Sequence, residues 1–148
     1  MNYLSDPNTK RFLRVVRLQA AKCHVRLVLS AGHHINADGE RVQGMFTPPI
    51  HSGNGKYWSI GGSIKVAIGG RRSGEWLYSL AHEYAHFLQW RNDDPIYETE
   101  DYLKLEIHTE QQALELCKEF KLPMPRKQLL IERKKYISRL KRSPDRTR

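Results

Sequence analysis

The chain of 148 residues has only two cysteines, Cys23 and Cys117. They stand far apart and in no CxxC pair, so neither is an obvious metal ligand. Both read better as small buried apolar residues of a protein from a reducing compartment. No run of roughly 18 apolar residues occurs, so no membrane span is expected. The first residues, Met1-Asn2-Tyr3-Leu4-Ser5-Asp6-Pro7, lack the basic-then-apolar pattern of a signal peptide, which makes the cytoplasm the expected location. No GxxxxGK spacing followed by Ser or Thr occurs around Gly53 and Gly55, which excludes a phosphate loop there. Internal repeats and low-complexity segments are also missing. Length predicts a single domain over 1–148, large enough to bury a core without disulfides.

Acidic residues are scarce except in one block. Residues 1–80 carry 11 Lys and Arg against 4 Asp and Glu, a balance of +7. Residues 81–122 carry 4 against 10, or −6, and residues 123–148 carry 10 against 2, or +8. Carboxylates concentrated in the middle suit a cation. The basic ends read mainly as solvated surface, with a weak nucleic-acid contact as the functional alternative.

Within the acidic block stands His82-Glu83-Tyr84-Ala85-His86, an HExxH pattern. Leu77, Leu80, Ala81, Tyr84, Ala85, Phe87 and Leu88 surround it and predict a buried helix from about Glu75 to Gln89 or Trp90. One helical turn separates the two imidazoles, so both face the same way and can hold one zinc ion. Glu83 is offset around the helix, where it can act as general base on a metal-activated water without being a ligand. Ionisable groups in so apolar a helix are costly unless paired or metal-bound.

The other elements place this helix in an α+β chain. Pro7 to about Ala21 predicts an N-terminal helix capped by Ser5 or Asp6. Val25 to Leu29, Arg41 to Phe46, Tyr57 to Ile60 and Ser63 to Ile68 predict a small, mostly antiparallel sheet. Gly61-Gly62 marks a bulge or a close backbone approach. If the strand at 63–68 forms the sheet edge, an extended peptide can add to it. His33-His34 and Asp38-Gly39 fall in a loop, and adjacent histidines there make a poor chelate. Ser73 is a candidate cap for the HExxH helix. Asp93 and Asp94, before Pro95, read as turn formers. Leu103 to about Lys121 predicts the next helix, with Leu103, Glu106, Ile107, Glu110, Ala113, Leu114 and Cys117 on one face. Gln128 to Leu140 predicts a basic C-terminal helix, followed by a frayed tail at about 143–148.

A catalytic zinc usually takes three protein ligands, and Glu106, His108 and Glu110 are the candidates for the third. Glu106 and Glu110 are one turn apart on a stripe that is otherwise apolar. Glu106 as ligand, with Glu110 accepting the outer N–H of a ligand histidine, is the preferred assignment, and the swapped one stays open. His108 lies on a different face.

His82-Glu83-xx-His86 followed by Glu106 and Glu110 resembles the gluzincin class of zinc metallopeptidases. The stretch from Leu105 to Leu116, ending in Leu122-Pro123, is similar to short single-domain peptidases of phages and mobile elements, including relatives of the ImmA/IrrE proteases that cleave a repressor. The resemblance covers about residues 57–125. It implies a minimal zincin-like core, a zinc cofactor and hydrolysis of a protein or peptide substrate with Glu83 as base. It also implies an oxyanion-stabilising Tyr or His, for which Tyr102, His108 and Tyr136 are available. The alternatives are a DNA-associated protease holding nucleic acid through its basic ends, and a non-catalytic zinc-binding or interaction protein.

Overall fold

Alternating β-branched residues and capped apolar stripes divide the chain into a strand-rich first half and a helical second half. The computed structural model describes residues 3–51, 58–69, 74–124 and 126–142. Its architecture is α+β. After a 3-10 turn at Tyr3–Ser5, α1 spans Pro7–Ala21. The Asp6 carboxylate accepts the Thr9 N–H at 2.9 Å, and Pro7 occupies the first turn, where its missing N–H costs nothing.

Among the described residues seven strands follow: β1 (Val25–Ser30), β2 (Ile35–Ala37), β3 (Glu40–Val42), β4 (Gly44–Thr47), β5 (Ile50–His51), β6 (Trp58–Ile60) and β7 (Gly62–Ala67). The main sheet has the order β1-β7-β4. Its β1/β7 pair is parallel, from Val25 opposite Gly62 to Ser30 opposite Ala67. All other pairs are antiparallel: β4 with β7, β2 with β3, and β5 with β6. Gly62 is a true close approach, since a Cβ there would lie 2.5 Å from the Thr47 carbonyl oxygen.

Two strand expectations change. The run from Arg41 to Phe46 is not one strand. Asp38 and Gly39 adopt φ of 51° and 83°, the paired positive values of a tight hairpin turn, and this ties β3 to β2. Past Gln43 the chain leaves that hairpin and joins the main sheet as β4. Nor is the strand around Ser63–Ile68 an edge. Its Ile64 and Val66 are fully buried and it has a partner on both sides, so the edges fall to β1 and, beside α2, to β4.

The helical half consists of α2 (Glu75–Arg91), a 3-10 turn at Pro95–Glu98, α3 (Tyr102–Glu119) and α4 (Arg126–Lys141). Gly74, at φ +77°, holds the cap position of α2, and the proposed cap Ser73 lies outside the described residues, as does the tail at 143–148. Helix α2 packs on β7 and β4 with one side and on α3 with another, and α4 closes against α3. Phe12 of α1 joins the two halves: its ring lies 4.8 Å from that of Phe120 and 5.9 Å from that of Tyr84. The buried face of α3 is rotated from the predicted stripe. Leu105, Glu106, Thr109, Glu110, Ala113, Leu116 and Cys117 point inward, and Ile107 points out. Thr109 can take an inner position because its hydroxyl is bonded within the fold, as described below. No helix among the described residues is long and apolar enough to cross a membrane.

Candidate metal centre

Helix α2 brings His82 and His86 onto the face that meets α3, and α3 answers with Glu106. The Glu106 carboxylate lies between the two rings, with Oε2 at 2.9 Å from His82 Nε2 and Oε1 at 3.3 Å from His86 Nε2. One donor atom from each of the three residues lies within 4.8 Å of the others, and all three side chains are buried. Ligand bonds of about 2 Å in a tetrahedron separate donors by about 3.3 Å, so this His, His, Glu set fits a zinc-sized cation with little adjustment.

Both rings are fixed from behind. His82 Nδ1 donates to Glu110 Oε1 at 2.7 Å, and His86 Nδ1 donates to Gln89 Oε1 at 3.2 Å. With Nδ1 keeping its proton in each ring, a cation at the shared centre would replace the Nε2 protons that face Glu106 and meet the Nε2 lone pairs. Glu106 thus sits among the inner donors and Glu110 on the outer side of His82. The second Glu110 oxygen is buried with no hydrogen-bond partner among the described residues.

The electrostatics follow from burial and pairing. Burial alone would push Glu106 up, but the hydrogen bonds and charges of His82 and His86 hold it well below the ordinary carboxylate range. Burial raises Glu110 to about 8 against the opposing pull of Arg133. Burial would lower His82, but its bond to Glu106 prevails and raises it. Desolvation pushes Glu83 up despite the nearby imidazoles.

Glu83 is not among the converging donors. Its half-buried carboxylate accepts the backbone N–H of Phe46, on edge strand β4. Gly44 makes this approach feasible: a Cβ there would lie 2.9 Å from Glu83 Cγ and 3.3 Å from the Lys65 carbonyl oxygen. The Phe46 ring fastens the strand to the helix, packing edge-on to Phe87 at 5.9 Å and against Trp90 at 5.8 Å.

These groups line a cleft of about 830 Å³ between β3–β4 and the helices. Of the oxyanion candidates, Tyr102 and Tyr136 reach it. The Tyr136 hydroxyl donates to Glu106 Oε2 at 2.8 Å, and its ring stands edge-on to His82 at 5.4 Å. His108 does not reach the cleft; it lies on the exposed side of α3, 3.9 Å from Asp94. Asp94 itself accepts the Ile96 N–H at 3.0 Å, the turn role expected of it. His34 lines the outer cleft and His33 is an exposed neighbour.

Four contributors escaped the sequence reading: Gln89, Thr109, Gly44 and the Phe46 backbone. Gln89 carries a signal in hindsight, because a polar residue three positions after His86 in an apolar helix shares its face. Gly44 and the Phe46 N–H carry none, since their roles depend on a strand brought from elsewhere. Comparison of the chain with protein-family models, with curated proteins and with solved structures gives no match.

Proposed function

We propose that this chain is a zinc-dependent peptidase. The observation that carries the reading is the convergence of His82 Nε2, His86 Nε2 and the Glu106 carboxylate at the floor of an open cleft, with a carboxylate beside them outside the donor set. Zinc bound by His82, His86 and Glu106 would supply Lewis acidity toward a substrate carbonyl and toward water. Glu83 is the general base: its carboxylate takes a proton from the attacking water and returns it to the leaving amine. The Phe46 N–H sets the direction of that carboxylate. Glu110 and Gln89 keep the imidazoles in one tautomer. Tyr102 and Tyr136 supply hydroxyls at the cleft wall.

Edge strand β4 supports a peptide as the substrate. The Ala67 N–H donates to the Gln43 carbonyl, which fixes the phase of the ladder. In that phase Met45 and Thr47 bond to β7, and the backbone groups of Gly44 and Phe46 point away from it, on the cleft side where Glu83 lies. An extended peptide laid along the Gly44 N–H and carbonyl and the Phe46 carbonyl, with the Phe46 N–H left to Glu83, would add a strand and bring its carbonyls past the donor set.

The test is hydrolysis of a denatured protein or mixed peptide pool by zinc-loaded wild type and Glu83→Gln. The expected outcome is zinc-dependent cleavage by wild type, reduced about 10²- to 10⁴-fold in the variant at unchanged metal content. Full turnover by Glu83→Gln would refute the assigned base. Stoichiometric zinc without cleavage of any protein would favour a binding role for the same site.

A further inference from the structure

The geometry points to Gln89 as the positioning residue for His86, acting through a closed amide relay that ties this metal-facing imidazole to α3. The inference rests on the metal-site reading above and adds to it a residue outside the HExxH motif.

Gln89 is 1% exposed, so each of its polar atoms needs a partner within the fold. The partners are present, and they fix the direction of every proton. The Thr109 hydroxyl donates its single proton to the Leu105 carbonyl at 2.8 Å. Toward Gln89 the same oxygen can only accept, at 3.0 Å, so the amide presents nitrogen on that side. The Gln89 nitrogen also donates to Gln112 Oε1 at 2.6 Å. Both amide protons are therefore used, and the amide oxygen faces His86 Nδ1. A flipped amide would set its oxygen against the Thr109 lone pairs and its protons against the imidazole N–H. The His86 tautomer is thus dictated by a threonine hydroxyl on another helix.

The two imidazoles are held by different chemistry. His82 is backed by the Glu110 carboxyl group, and His86 by an amide. A carboxylate orients a ring and also raises its basicity, whereas an amide with both protons engaged only orients it. The relay acts on ring orientation and tautomer, and its loss should appear in metal affinity.

The test is zinc affinity, measured by competition with a chromophoric chelator, together with thermal midpoints without metal, for wild type, Gln89→Met, Gln89→Glu, Thr109→Val and His86→Ala. Gln89→Met keeps the volume and removes the acceptor; zinc binding should weaken about 10- to 100-fold. Gln89→Glu keeps an acceptor on His86 Nδ1 but places a carboxylate against Gln112 Oε1. Its thermal midpoint should fall, and its affinity should stay within a few-fold of wild type. Thr109→Val leaves the amide free to turn and should weaken zinc several-fold, which provides a second route if Gln89→Met does not fold. Cobalt(II) absorption of the Gln89→Met protein should broaden as the ring loses its fixed orientation.

Unchanged affinity in both Gln89→Met and Thr109→Val would overturn the inference, as would equal weakening in Gln89→Met and Gln89→Glu, which marks packing alone. Failure of the underlying reading looks different: wild type would bind no zinc, or His86→Ala would bind it as well as wild type does.

Discussion

The two walls of the cleft contribute in different ways. The helical wall, formed by α2, α3 and α4, supplies side chains: His82, Glu83, His86, Gln89, Glu106, Glu110 and Tyr136. The strand wall, formed by β3 and β4, supplies backbone, with the Phe46 N–H on Glu83 and the missing Cβ of Gly44. Helices bond their own backbone groups internally and offer only side chains to a site. An edge strand has backbone groups to spare. A cleft between one wall of each kind presents cation-type donors on one side and edge-strand backbone on the other.

The largest effect should come from the helical wall. Glu106→Ala removes the donor between the two imidazoles and should abolish stoichiometric zinc, read as metal content by elemental mass spectrometry. Glu110→Ala should weaken zinc only about 10- to 100-fold, because it removes a support behind His82. A reversed order would exchange the roles of the two glutamates.

Next is the joint between the walls. Phe46→Ala removes the ring that packs on Phe87 and Trp90. It should cost about 2–4 kcal/mol in urea unfolding, at the lower part of the range for aromatic truncation because Phe46 is only partly buried. Turnover should fall further than zinc affinity, as the Phe46 N–H drifts from Glu83. Equal losses would mean that the strand wall does not orient the base.

Gly44→Ala sharpens the contrast within the strand wall. Its Cβ would displace Glu83 rather than either histidine. The expected result is a turnover loss of about 10- to 100-fold with unchanged zinc affinity. Wild-type turnover would show that Glu83 relaxes without cost.

The effect furthest from the cleft, and the smallest near neutral pH, concerns a buried group behind the helical wall. Burial raises the Cys117 thiol from 9.0 to about 12, with the Glu110 charge adding to it. The folded state therefore keeps this proton while the unfolded chain loses it. Stability should fall as pH rises from about 9 to 12, by about 1.4 kcal/mol per pH unit at most, and be unaffected below that window. Cys117→Ala should flatten this slope in denaturant titrations across the alkaline range.

The sequence by itself determined the helical wall. The bounds of α1 and most of α2 were legible because caps, proline and apolar periodicity are local signals. His82, Glu83 and His86 were legible because ligands one turn apart on one helix need no tertiary information to share a face. Glu106 and Glu110 were legible as carboxylates near a buried stripe. The inward turn of Thr109 was not, because its polarity is offset by partners on α2 and on its own helix. Tertiary structure alone decided which glutamate stands between the imidazoles, since the distance from α2 to α3 is set by packing. It also decided that β4, not β7, is the edge strand beside the HExxH helix, and that a glycine and a backbone N–H meet Glu83. Strand order depends on contacts between segments far apart in sequence, and a backbone group has the same chemistry at every residue except proline, so neither leaves a mark in the letters.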